Sequence, residues 1–159
     1  EYDSQRNSKT FLLWFDNSPI ATVRSSIWSV QYDWQKTEGI STFQQEIQKA
    51  IGLKNTIIES GRFAIQPNLG RSLSTKAQLI LFRIQDLNSK YENSKHIITI
   101  VRNKHVPFYE RMLGFKKISN DKFFRWINDN VVLLYTTAAK IHKNAIFRCC
   151  PTSRLYPSF

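Results

Sequence analysis

Apolar positions follow two rhythms along this chain, and each switch between them marks an element. Phe11-Leu-Leu-Trp-Phe15 reads as a strand closed by the turn Asp16-Asn-Ser-Pro19, and Ile20 to Trp28 returns as a second, giving a hairpin. Ser41-Thr-Phe-Gln44 has the form of a capping box, and Phe43, Ile47, Ala50 and Ile51 then recur at helical spacing until Gly52. Thr56 to Ile65 predicts a third strand, stopped by Pro67. The longest helix is predicted over residues 72–89, with a stripe of Leu73, Ala77, Ile80, Leu81, Ile84 and Leu87. His96 to Val101 is apolar enough for a central strand. Phe115 to Ile118, Phe123 to Ile127 and Val131 to Thr137 complete the strands, with Asn128-Asp-Asn130 as a turn. The centre therefore reads strand, helix, strand, helix between hairpins. Such a unit implies a right-handed crossover, parallel strands and ligands at the strands' carboxyl ends. The basic tail from Ala138 to Phe159 is assigned no element.

The segment His105-Val-Pro-Phe-Tyr-Glu-Arg-Met-Leu-Gly-Phe115 is the best punctuated in the chain. Pro107 suits a first helical turn, where its missing N–H costs nothing. Phe108, Met112 and Leu113 supply an apolar face. Gly114 fits the left-handed position past the end, and Phe115 can close over that cap.

Composition narrows the class. A chain of 159 residues with 42% hydrophobic and 13% aromatic content is long and apolar enough for one globular domain over 1–159. It begins at Glu1 without a Met, which leaves room for a removed N-terminal segment. The formal charge of +11 favours acidic partners: nucleic acid, anionic membrane, a phosphorylated cofactor or an acidic carrier. The basic residues are scattered with no run of five, so no nucleic-acid arm is expected. Cys149 and Cys150 are the only cysteines; adjacent cysteines make neither a disulfide framework nor a four-ligand zinc site, and fit a reducing compartment. His96, His105 and His142 lack ligand spacing, so no metal is expected. No apolar run reaches transmembrane length, and a cytoplasmic location is expected.

Glu59 and Arg62 stand in the otherwise apolar strand Ile57-Ile-Glu-Ser-Gly-Arg-Phe63. Charges there are costly unless paired or used. Strand alternation sends positions 59 and 62 to opposite faces, but a bulge near Gly61 would bring them to one side. As a structural feature they would form a register-setting ion pair; as a functional one they would serve a site.

Phe108-Tyr-Glu-Arg-x-Leu-Gly-Phe115 after a strand resembles the second half of the GNAT N-acyltransferase fold. Glu1-Tyr-Asp3, the Phe11–Trp14 strand, Pro19-Ile-Ala-Thr-Val-Arg24 and Glu59-Ser-Gly-Arg-Phe63 follow the order seen in acyl-homoserine lactone (autoinducer) synthases. The stretch Val101 to Phe115 is more similar to the related N-acyl amino acid synthases. The resemblance covers residues 1 to about 119. It implies an α+β GNAT-like domain, with a mixed sheet and helices on both faces. It also implies transfer of a long-chain acyl group from acyl carrier protein to the amine of an amino acid.

Such a transfer needs a proton acceptor for the amine, donors for the oxyanion, a group for the leaving thiolate and, for an amino acid, an Arg fork. The resemblance offers Glu59 and Tyr109 as catalytic groups, with Arg24, Arg62, Phe63 and Asp3 at the substrate. The tyrosine of this motif lies beside the thioester sulfur in GNAT enzymes. Two departures stand out. Ala21 replaces a usual glycine, and Asn68-Leu-Gly-Arg-Ser-Leu-Ser-Thr75 carries one glycine where CoA-dependent relatives have a Gly-rich pyrophosphate loop. Gly70, Arg71, Ser72 and Ser74 suit a single phosphate, as on the phosphopantetheine of a carrier, with acyl-CoA the alternative donor. The other readings are a lactone synthase using S-adenosylmethionine, a CoA-dependent acetyltransferase and a basic binding module without turnover. A lipid-like product would place the enzyme near membrane.

Overall fold

The first hairpin forms where the pattern places it, with β1 (Ser8–Phe15) and β2 (Ser18–Trp28) antiparallel around Asp16 and Asn17. Both turn residues have positive φ, 46° and 61°, the conformation that matches the twist of the flanking strands. The computed structural model describes residues 4–143. The readings at Glu1-Tyr-Asp3, and at 144–159 with Cys149 and Cys150, lie outside the described residues.

α1 (Glu38–Ala50) starts earlier than the Ser41 capping box predicts. Thr37 is the N-cap, and its hydroxyl accepts the Ile40 N–H at 3.2 Å. The Ser41 signal loses because Gly39 and Ile40 are already buried against the sheet. Phe43 leaves helical geometry (φ −122°, ψ 31°) and kinks the helix. There the Lys122 ammonium donates to the Thr42 carbonyl at 2.8 Å and covers the Phe43 ring.

β3 (Ile57–Ile65), α2 (Arg71–Tyr91) and β4 (His96–Arg102) form the predicted crossover, with β3 and β4 parallel. α3 (Val106–Leu113) follows, with Pro107 in its first turn and Gly114 left-handed at φ 68°. Its inner face is Val106, Tyr109 and Leu113 with Phe108, whereas Met112 is 42% exposed, contrary to the predicted stripe.

The predicted strand at 115–118 shrinks to β5 (Lys116–Lys117). The Ser119 hydroxyl accepts the Leu133 N–H at 2.8 Å and takes up a donor that a longer ladder would use. The predicted 123–127 strand becomes β6 (Lys122–Phe124) and a 3-10 turn, closed by Asn128 at φ 47°. β7 (Asp129–Thr137) runs beside β4, and α4 (Ala138–Lys143) begins the tail.

Among the described residues, seven strands make one mixed sheet in the order β1-β2-β3-β4-β7-β5, with β6 also on β7. α1 covers one face through Phe43, Ile47, Ile57, Ile98 and Leu133. α2, α3 and α4 cover the other through Leu81, Phe82, Leu113 and Ile141 against Val23, Ile97 and Leu134. The β-strand alternation of β4 supplies both layers at once.

Candidate active site

β3 and β4 pair only from Ile57–His96 to Ser60–Thr99. The Thr99 hydroxyl donates to the Ser60 carbonyl at 2.8 Å, and beyond this contact the strands part. The parting has a local cause. Arg24 pairs with Gly61 and Thr22 with Ala64, so Val23 faces both Arg62 and Phe63 across a bulge. Arg62 sits there at φ 51°. The extra residue reverses the strand's parity: Ile57 packs on the α1 face, but Phe63 and Ile65 pack on the α2 face. Phe63 then stacks on Phe82 of α2 at 4.9 Å.

A cavity of about 610 Å³ occupies the opening and reaches both faces of the sheet. Its α1 side holds Arg24, Glu38, Glu59, Phe124 and Val131; its α2 side holds Gln78, Phe82, Phe108 and Tyr109. Arg62, Arg102 and His105 also line it.

Glu59 is 3% exposed. Its Oε2 accepts the Gly39 N–H at 2.7 Å, and the Thr37 hydroxyl donates to the carboxylate as well. Burial nevertheless pushes its pKa above the usual carboxylate value, because desolvation outweighs those donors and the nearby Arg24 cation. Gly39 leaves the carboxylate room to approach the helix start: a Cβ there would lie 2.7 Å from Glu59 Oε2. Arg24 is 1% exposed, donates from Nη2 to Glu38 Oε2 at 3.0 Å and stands 3.9 Å from Glu59 Oε1.

On the other side, Tyr109 meets Phe82, Phe108 and Phe115 edge-on, with centroids 5.5–5.9 Å apart. Burial pushes its hydroxyl up to about 12, so it is a hydrogen-bond donor throughout the physiological range. The arrangement thus sets a buried carboxylate and an aromatic-held hydroxyl on opposite sides of one opening.

The model of the N-acyl amino acid synthase FeeM family matches residues 1–137. The chain belongs to this family. This N-acyl amino acid synthase family member is therefore an acyltransferase, and its fold is the GNAT fold. Its structure is similar to that of FeeM, an N-acyl amino acid synthase from uncultured soil microbes. The TM-score is 0.73 at 16% identity, over 90% of this chain and 79% of that one. It is also similar to MesI, a CoA-dependent acyl-homoserine lactone synthase, at TM-score 0.65 and 14% identity over 96% and 74%. The third is the acyl-homoserine lactone synthase LasI, at 0.59 and 16% over 81% and 64%, so the chain spans just under two thirds of that protein. No curated protein matches the sequence.

In this acyltransferase, Glu59, Arg62, Phe63, Tyr109 and Arg24 all line the one cavity. Gly70, Arg71, Ser72 and Ser74 do not; they form the start of α2, which has no acidic residue in its first turn and no side-chain cap on Gly70. Asp3 lies outside the described residues. Sequence reading missed Thr37, Glu38, Gly39 and Phe82. Thr37-Glu-Gly39 carries a helix-start signal of its own, an N-cap type followed by an acidic residue. Phe82 carries none, being one apolar residue among many in α2. Among the described residues, no helix is long and apolar enough to cross a membrane.

Proposed function

We propose that this chain transfers a long-chain acyl group from the thioester of acyl carrier protein to the amine of an amino acid. The observation that carries the reading is the through-sheet cavity, with Glu59 on one side and Tyr109 on the other. The acceptor amine approaches from the α1 side. Its nitrogen attacks the thioester carbonyl, the C–N bond forms and the C–S bond breaks. Glu59 takes the amine proton; its raised pKa makes it a better base than an exposed carboxylate. Backbone N–H groups near Phe63, beyond the last β3–β4 pair, face the developing oxyanion. Tyr109 donates to the departing thiolate. Arg62, at the bulge, meets the acceptor's carboxylate, and Arg24 sets the carboxylates of the α1 side. The apolar lining of Phe63, Phe82, Ile100, Val101, Phe124 and Ile127 suits an alkyl chain.

The donor assignment rests on the glycine-poor start of α2 and the charge of +11. Gly70, Arg71, Ser72 and Ser74 offer backbone donors and one guanidinium, enough for a single phosphate. The test is single-turnover acylation of an amino-acid panel with matched acyl carrier protein and acyl-CoA, read by product mass. Faster transfer from the carrier, weakening as salt rises, is expected. Equal or faster transfer from CoA overturns the donor, and a product lacking an amino acid overturns the acceptor.

A further inference from the structure

One guanidinium lies between two carboxylates, and they do not share it equally. Arg24 Nη2 is at hydrogen-bond distance from Glu38, 3.0 Å, but 3.9 Å from Glu59. Glu59 instead takes its hydrogen bonds from Thr37 and the Gly39 N–H. Glu38 and Thr37 are both at the start of α1, so the same helix end supplies Glu59's donors and restrains its cation. We propose that Glu38 is a positioning residue: it draws the Arg24 guanidinium off Glu59 and so keeps Glu59 able to take the acceptor's proton. This rests on the reading of Glu59 as the base.

The physical logic is a competition. A carboxylate in full contact with a guanidinium is a poor base, because the cation stabilises its charged form. A carboxylate with no cation nearby, buried this deeply, would stay protonated and accept nothing. Arg24 held at the intermediate distance leaves Glu59 ionisable yet basic, and the negative charge of Glu38 works in the same direction. The other charged or titratable groups on this cavity are Arg62, Arg102, His105 and Tyr109, from β3, β4, the turn after it and α3. None of them belongs to α1 or β2, and all are unchanged in the variants below.

The test is a carboxyl ¹³C titration of Glu59 in the whole chain, its resonance assigned by its loss in Glu59→Gln. Glu38→Gln releases Arg24 towards Glu59, and the Glu59 midpoint should fall by about one pH unit. The acidic limb of kcat should move the same way. Glu38→Asp keeps the negative charge at the helix start but withdraws it from Arg24 by one methylene. It should show a smaller fall, and it carries the test if the Gln variant folds poorly. An unmoved or raised midpoint in both variants overturns the proposal. A fall in the Gln variant alone overturns the Arg24 route, since bare repulsion between Glu38 and Glu59 would then explain it. An inactive Glu59→Gln beside an unmoved midpoint removes only Glu38's role. A fully active Glu59→Gln removes the base and this proposal together.

Discussion

Gly39→Ala is the sharpest probe of how the carboxylate is held. The new Cβ would stand 2.7 Å from Glu59 Oε2, 3.1 Å from Cδ and 3.3 Å from Ile98 Cδ1. To reach the 3.4 Å of ordinary contact, the carboxylate must withdraw about 0.7 Å. The Gly39 N–H bond, now 2.7 Å, then passes beyond hydrogen-bonding range. Losing a bond to a charged group costs about 1.5–3 kcal/mol. Replacing a helical glycine by alanine returns about 0.5–1 kcal/mol. The net loss is about 0.5–2.5 kcal/mol, or a Tm lower by about 1–10 °C for a chain of this size. Because the lost donor stabilised the charged form, the Glu59 midpoint should rise, opposite to the Glu38 variants. Moving the base off line should lower kcat by about tenfold to a hundredfold. Calorimetry and a kcat–pH profile read all three effects. An equal or higher Tm with unimpaired turnover would refute the reasoning, since it would mean the carboxylate is not pinned against Gly39.

Five further outcomes follow from the same geometry. Glu59→Gln should fold and lose about a hundredfold or more in transfer, and Arg62→Lys should lose most of kcat; an unfolded variant in either case makes that residue structural. Glu59's folded pKa lies above its unfolded value, so its contribution to stability is full below pH 4.5 and lost as pH rises through the folded pKa. The Tm of the wild type should therefore drop against that of Glu59→Gln across this window, and a rise would contradict the burial effect. Tyr109→Phe should keep its Tm and lose about a hundredfold in transfer, measured by single turnover; unchanged transfer leaves its helix as scaffold. Phe82→Ala, which removes a 7%-exposed ring stacked on Phe63, should cost about 3–5 kcal/mol by denaturant unfolding, and a loss under about 1 kcal/mol would show that the ring does not hold the opening.

What the sequence determined by itself was local. Asp16-Asn17 forced the hairpin, Pro107 and Gly114 bounded α3, and period and length separated the strands from α2, because each depends on neighbours within a few residues. The bulge near Gly61 was legible too, since two charges three apart in an apolar strand leave few other solutions. Arg24, Glu59, Arg62 and Tyr109 could be named from the family resemblance, and all four line the cavity. Their partners could not. As a structural pair Glu59 would meet Arg62, three positions away, but among the described residues the cation beside it is Arg24, 35 positions away, held by Glu38 on another element. The start of α1 moved from Ser41 to Thr37, and Phe43 kinked, because burying Gly39 and Ile40 against the sheet outweighed a local capping signal. Which carboxylate receives a buried guanidinium is set by the register between β2, β3 and the end of a helix. That register is a property of packed faces, and the tertiary structure alone decides it.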